Sequence, residues 1–267
     1  MDVKKVLLIS QEIDPYITHT EMGSFSRNMA QKLQEKGAEV RSFMPKYGAI
    51  NERRNQLHEV IRLSGLNITI DDTDHPLIIK VATLQPTRLQ VYFIDNDDYF
   101  CRHLPATSLE TVEHAETNDE RTIFFVRGVI ETVKKLRWNP DLVVCVGWVS
   151  ALVPLYLRTI YSEDPAFQNT KIVYTIAGDK VEGMLDERMA DKLKEEGLSD
   201  DLISKISSDG NFDYSTLHKL GIDSADAIVD SLCGTSPIIA EYAQATGKPM
   251  LIADGSEVDF FNFYQSI

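Results

Sequence analysis

Cysteine is scarce in this sequence. Cys101, Cys145 and Cys233 are widely spaced and form no CxxC pair. Three scattered thiols argue against a disulfide framework and against a structural zinc site. Positive charge is also short: 27 lysines and arginines face 41 acidic residues, a formal net charge of −14. Nucleic acid and anionic membranes both reward basic patches, so neither is expected as a partner. An acidic surface serves solubility instead. No apolar run approaches the ~20 residues that span a bilayer. The opening MDVKKVLLIS has too short an apolar stretch for a signal peptide and leads straight into a strand, so a cytoplasmic protein is expected. Repeats, low-complexity tracts and long linkers are missing as well, which points to one domain over residues 1–267.

What is present is a core. Hydrophobic residues make up 43% of 267, enough for a large α/β domain. Val6–Ser10 is an apolar strand. After a loop with Pro15, Phe25, Met29 and Leu33 recur at helical spacing from Met22 to Lys36. Gly37 stops that helix, and Ala38–Met44 is the next strand. This opening is how doubly wound sheets begin. Three extended runs follow at Val60–Leu63, Leu77–Leu84 and Leu89–Ile94, separated by Asp71–Pro76 and Gln85–Thr87. They read as antiparallel strands partly at a sheet edge. Asn118–Leu136 is a strong helix that Asn118 can cap. Further on, Leu142–Val146, Lys171–Ile176, Ala225–Val229 and Pro249–Ala253 read as extended. Ser150–Tyr161, Met184–Glu196, Asp200–Ile206, Ile238–Ala245 and Val258–Ser266 read as helices, Met184–Glu196 as a charged and exposed one. The fold class is α/β, doubly wound, with a mainly parallel Rossmann-like sheet.

The segment PDLVVCVGWVSALVP, Pro140 to Pro154, has the frame of a ligand site. A buried parallel strand, with Cys145 as a small hydrophobe inside it, ends in Gly147 and Trp148 and leads into an apolar helix. Ligands of open α/β sheets sit at such strand ends. Yet after Asp141 this segment holds no His, Asp, Glu, Lys or Arg.

In order, KKVLLISQEIDP, AEVRSFMPKYG, VYFIDNDDYF, NDERTIFFVRGVIETVKKLRWNPD, GWVSALVPLYL and LHKLGIDSADAIV resemble the N-terminal catalytic domain of bacterial glycogen and plant starch synthases, glycosyltransferase family 5. The likeness covers nearly the whole chain. It implies one half of a GT-B architecture, in which two Rossmann-like domains enclose the active site. The second, donor-binding domain is expected to be absent here, with the last helix as a remnant of the crossing into it.

Against that family the polar motifs are altered. Its Lys-Thr-Gly-Gly-Leu becomes Thr18, His19, Thr20, Glu21 and Met22. Glu21 would set negative charge where a diphosphate should lie, which repels it. His19 can bind phosphate or stand free in the loop. His-Cys-His-Asp-Trp-His becomes Val144, Cys145, Val146, Gly147, Trp148 and Val149, and Thr-Ile-His-Asn becomes Thr175, Ile176, Ala177 and Gly178. Valine neither binds sugar hydroxyls nor stabilises developing charge. No catalytic, cofactor-binding or metal residues are therefore expected. The cleft-lining candidates are Tyr16, Thr18, His19, Glu21, Gly147, Trp148, Ala177 and Gly178, with Tyr47 and Tyr214 as further aromatics that either stack on sugar or pack. Asp71, Asp72, Asp74 and His75 read either as a metal cluster or as a solvated turn. Asp95, Asp97, Asp98 and Arg121 match positions that look structural in the family. Phe260, Phe261, Phe263 and Tyr264 either pack back or form a partner or oligomer interface. The expected function is a non-catalytic synthase-like protein that binds glucan or a partner of glycogen metabolism. The alternatives are an ADP-glucose:glucan glucosyltransferase half completed by a separate second domain, and a sensor of some other ligand on the same scaffold.

Overall fold

The computed structural model describes residues 3–17, 20–101, 117–177, 183–207, 211–254 and 258–267. The expected opening is there. β1 (Lys5–Ser10), α1 (Glu21–Glu35) and β2 (Glu39–Pro45) follow one another. Gly37, at φ 93°, closes α1 as its amide donates to Gln34 O and that of Ala38 to Leu33 O.

The middle of the chain departs from its sequence reading. Val60–Leu63 is a turn rather than a strand; only β3 (His58–Glu59) pairs there. β4 (Leu66–Ile70) was not expected, although Leu66, Ile68 and Ile70 alternate with Asn67 and Thr69. The turn at Asp71–Pro76 shrinks to Asp71 and Asp72, at φ 49° and 58°, and β5 (Thr73–Leu84) begins directly after it. Two left-handed residues form the tight hairpin turn whose twist suits flanking strands. β6 (Leu89–Asp95) follows.

Next come α2 (Asn118–Leu136), β7 (Leu142–Val146), α3 (Leu152–Arg158) and β8 (Lys171–Ile176). The N-cap of α2 is Thr117, because the Asn118 side chain is turned inward to Tyr214 and Arg121. A 3-10 turn at Trp148–Ser150 stands where α3 was expected to start. α4 (Met189–Glu195) is shorter than the expected helix and exposes only one face: Asp191, Lys194 and Glu195 are exposed, but Met189, Lys192 and Leu193 are buried. α5 (Asp200–Ile206), α6 (Tyr214–Ser224), β9 (Ala227–Asp230), α7 (Pro237–Ala245), β10 (Met250–Ile252) and α8 (Phe260–Ser266) complete the chain.

The strands form one ten-stranded sheet in the order β10-β9-β8-β7-β1-β2-β6-β5-β3, with β4 attached to β5. From β10 to β6 all neighbours are parallel. β5 runs antiparallel to β6, β3 and β4. All five residues of β7 are buried, as a strand covered by helices on both faces requires. The order reverses at β1, with β2 on one side and β7 on the other. That reversal makes the crevice at the ends of β1 and β7 the expected ligand position.

Candidate functional site

β1 runs out into Ser10, Gln11 and Glu12, all at most 2% exposed. The Gln11 amide donates to Val146 O at 3.2 Å, so the β1–β7 ladder extends to the crevice floor. Across from it Gly147 has φ 81° and ψ 168°, a conformation that suits glycine alone. A methyl group there would come within 2.9 Å of Gln11 Oε1 and 3.3 Å of Met22 Cε. Gln11 and Met22 from α1 therefore pack directly against Gly147 at this strand end. Gln11 Oε1 and Trp148 Nε1 are buried without a hydrogen-bond partner among the described residues.

The start of α1 explains the altered glycine pair. Thr20 Oγ1 accepts from the Gly23 amide at 3.0 Å and caps the helix. Glu21, exposed in the first turn, is favourable next to the helix's positive end. Gly23 does more than ordinary turn chemistry: a Cβ there would sit 2.7 Å from Thr20 Oγ1. On the other side of the crevice Ala177 is fully buried. Ser231 Oγ donates to Ile176 O at 2.8 Å, which joins the ends of β8 and β9. Thr18, His19 and Gly178 lie outside the described residues.

The four aromatics face inward. Trp148 is fully buried and packs edge-on against Tyr214, ring centroids 5.0 Å apart. Tyr16 meets Phe93 edge-on at 4.8 Å, and burial pushes its hydroxyl up to about 12. The Tyr47 hydroxyl donates to Gln11 O at 3.1 Å. These rings support the crevice floor. Phe260 and Tyr264 likewise pack back: Phe260 meets Phe25 edge-on, and the Tyr264 hydroxyl lies against Met29 Sδ at 3.1 Å.

The acidic-His group splits apart. Asp71 pairs with Arg188, Asp74 accepts from Thr69 Oγ1 at 2.7 Å, and His75 Nε2 is 2.9 Å from the Tyr99 hydroxyl. Among the described residues no cluster of three or more His, Cys, Asp or Glu side chains is arranged to hold a metal ion.

Sequence reasoning missed a belt of buried charge beside the crevice. Glu12, Lys46, Asp95, Asp119, Arg121 and Lys192 are all at most 6% exposed. Lys192 Nζ lies 2.6 Å from Asp119 and 2.7 Å from Glu120, and those carboxylates hold it charged against the effect of burial. Glu120 also accepts the Tyr99 hydroxyl at 2.8 Å. Arg121 Nε donates to Tyr99 O at 3.0 Å, which gives the expected structural role of Arg121 its geometry. Lys80 bridges Glu52 and Asp95, both at 2.7 Å. The available signal was spacing: Arg188, Lys192 and Glu196 stand four apart, and their partners Asp71, Asp119 and Arg127 lie far off in sequence.

Strand order and crevice position define a Rossmann-like α/β domain of the GT-B type. Residues 5–231 match the family described as starch synthase catalytic domain, and the chain belongs to that family. It is 35% identical over 244 residues to a glycogen synthase of Chlorobium phaeovibrioides, a match covering 91% of this chain and 47% of the relative. A glycogen synthase of Chlorobaculum parvum is 33% identical, with 89% of this chain and 46% of the relative covered. The chain thus spans about half the length of the curated relatives it matches. The solved catalytic domain of starch synthase IV from Arabidopsis thaliana, bound to ADP and acarbose, shares the fold. Its TM-score is 0.72 at 17% identity, over 94% of this chain and 51% of that one. The chain is a glycogen synthase-like domain, and no helix among its described residues is long and apolar enough to cross a membrane.

Proposed function

We propose that this glycogen synthase-like domain performs no glucosyl transfer of its own and binds glucan, or a protein partner of glycogen metabolism. One observation carries the reading: at the strand ends of β7 and β8 the buried residues are Val146, Gly147 and Ala177, with Gln11 and Met22 packed against Gly147. Transfer needs polar groups that bind sugar hydroxyls and stabilise developing charge. In this proposal the domain requires no cofactor. Affinity electrophoresis tests it. The purified chain should migrate more slowly through a gel with embedded glycogen, and maltooligosaccharides should relieve the retardation. Equal migration with and without glycogen would rule out the glucan form and leave a protein partner.

A second reading has its own support. The chain covers only 47% of a relative at 35% identity, and a belt of buried charge lies beside the crevice. In that reading the chain is one half of an ADP-glucose:glucan glucosyltransferase and works with a separate second domain. Transfer by a mixture of the two halves separates the readings.

A further inference from the structure

A cavity of about 280 Å³ lies between α3, α5, α6 and α7, away from the crevice. Its floor is apolar. Leu155 and Leu220 are 3% and 5% exposed, and the partly buried Leu202 and Ile206 pack beside them. Two ammonium groups border it, those of Lys205 on α5 and Lys219 on α6. Neither makes a hydrogen bond or an ion pair among the described residues. Lys219 Nζ instead lies 5.4 Å from the centroid of the Tyr242 ring.

The carboxylate on the lining does not answer them. Asp223 accepts the Tyr242 hydroxyl on both oxygens, at 2.9 and 2.8 Å. Burial first, then the hydrogen bond to Asp223 and its charge, push that hydroxyl up to about 12, so it keeps its proton and the bond persists through neutral pH. Elsewhere in this chain of net charge −14 cations take carboxylates: Arg27 takes Asp14, Arg158 takes Asp226 and Lys194 takes Asp200. Two cations without a counter-ion among the described residues, beside a low-dielectric wall, attract an anion more strongly than they would on an open surface. An apolar floor rewards an organic body over a bare ion. An apolar cavity of about 150 Å³ takes benzene, so the space here holds a ring together with a head group.

We propose that this cavity binds a small amphipathic anion, with an aromatic or short-chain body on the leucine floor and a phosphate or carboxylate head between Lys205 and Lys219. The site is independent of glucan binding, since a neutral sugar chain offers no charge to the two ammonium groups.

The test is a titration of the isotope-labelled chain with phenyl phosphate, followed by NMR, with benzoate, phenol and inorganic phosphate as comparison probes. Saturable shifts confined to α5, α6 and α7 are expected with phenyl phosphate, benzoate or both; which of the two binds tighter identifies the head group. Phenol and inorganic phosphate should each bind at least tenfold more weakly. The Lys205→Ala/Lys219→Ala variant should lose at least tenfold in affinity, and it keeps its fold because among the described residues neither ammonium holds a hydrogen bond or ion pair and Lys219 meets only the Tyr242 ring. Three results would overturn the proposal: no saturation with either organic anion, inorganic phosphate binding as tightly as phenyl phosphate, or affinity unchanged in the double variant.

Discussion

At the scale of single residues, Gly147 and Lys192 decide most. Gly147 sits at φ 81°, and a side chain there meets Gln11. Gly147→Ala should destabilise the fold by about 1–3 kcal/mol through backbone strain alone, read as a lowered urea midpoint; an unchanged midpoint would mean that the crevice is looser than described. Lys192 is 4% exposed and Asp119 fully buried. Lys192→Met leaves that carboxylate uncompensated and should cost about 3–5 kcal/mol, most of which the double variant Lys192→Met/Asp119→Leu should regain. Lys80 and Glu52 set a pH window. Burial works against charge on Lys80, but Asp95 and Glu52 prevail and raise it from 10.5 to about 12. Its stabilisation is full below the ordinary lysine value and is lost as pH rises through about 12. For Glu52 burial again works against charge, and the Lys80 and Lys46 ammoniums hold the carboxyl below its ordinary 4.5. Its stabilisation is full above that value and is lost as pH falls through the depressed one. Urea midpoints of the wild type and of Lys80→Met should therefore converge as pH rises above 10.5; a constant difference would contradict the pairing.

Elements differ in how plainly the sequence announces them. β7, β8 and α2 stand where their patterns put them, to the residue. A buried parallel strand is an apolar run, and a core helix is an apolar stripe, so both signals are local. α4 is the opposite case. The charges at and beside it read as a solvated face, but Lys192 and Glu196 turn inward onto Asp119 and Arg127, while Arg188 pairs with Asp71 at the surface. Periodicity finds such a face without telling whether it meets water, because the partners lie on β5's hairpin and on α2, distant in sequence. The same limit hid the charged belt, whereas Gly147 and the apolar strand ends of the crevice were legible locally. At the hairpin, Asp71 and Asp72 both occupy the left-handed region, where Asp-Gly is preferred to Asp-Asp. Asp72→Gly should stabilise by about 0.5–1 kcal/mol, seen as a raised melting temperature; a lowered one would show that Asp72 has a role in the hairpin beyond turn geometry.

For the whole molecule, the scaffold of a glycogen synthase-like domain persists while Val146, Gly147 and Ala177 stand at the strand ends of its switch point. The parallel sheet, the reversal at β1 and the family match over residues 5–231 all concern the scaffold. The proposal concerns what remains possible at strand ends lined by valine, glycine and alanine. The most direct measurement mixes the purified chain with the separately purified second half of a curated relative and follows glucose incorporation from ADP-glucose into glycogen. The account predicts no incorporation above that of the second half alone. Incorporation that requires both halves would contradict it and establish the chain as the first half of a split glucosyltransferase.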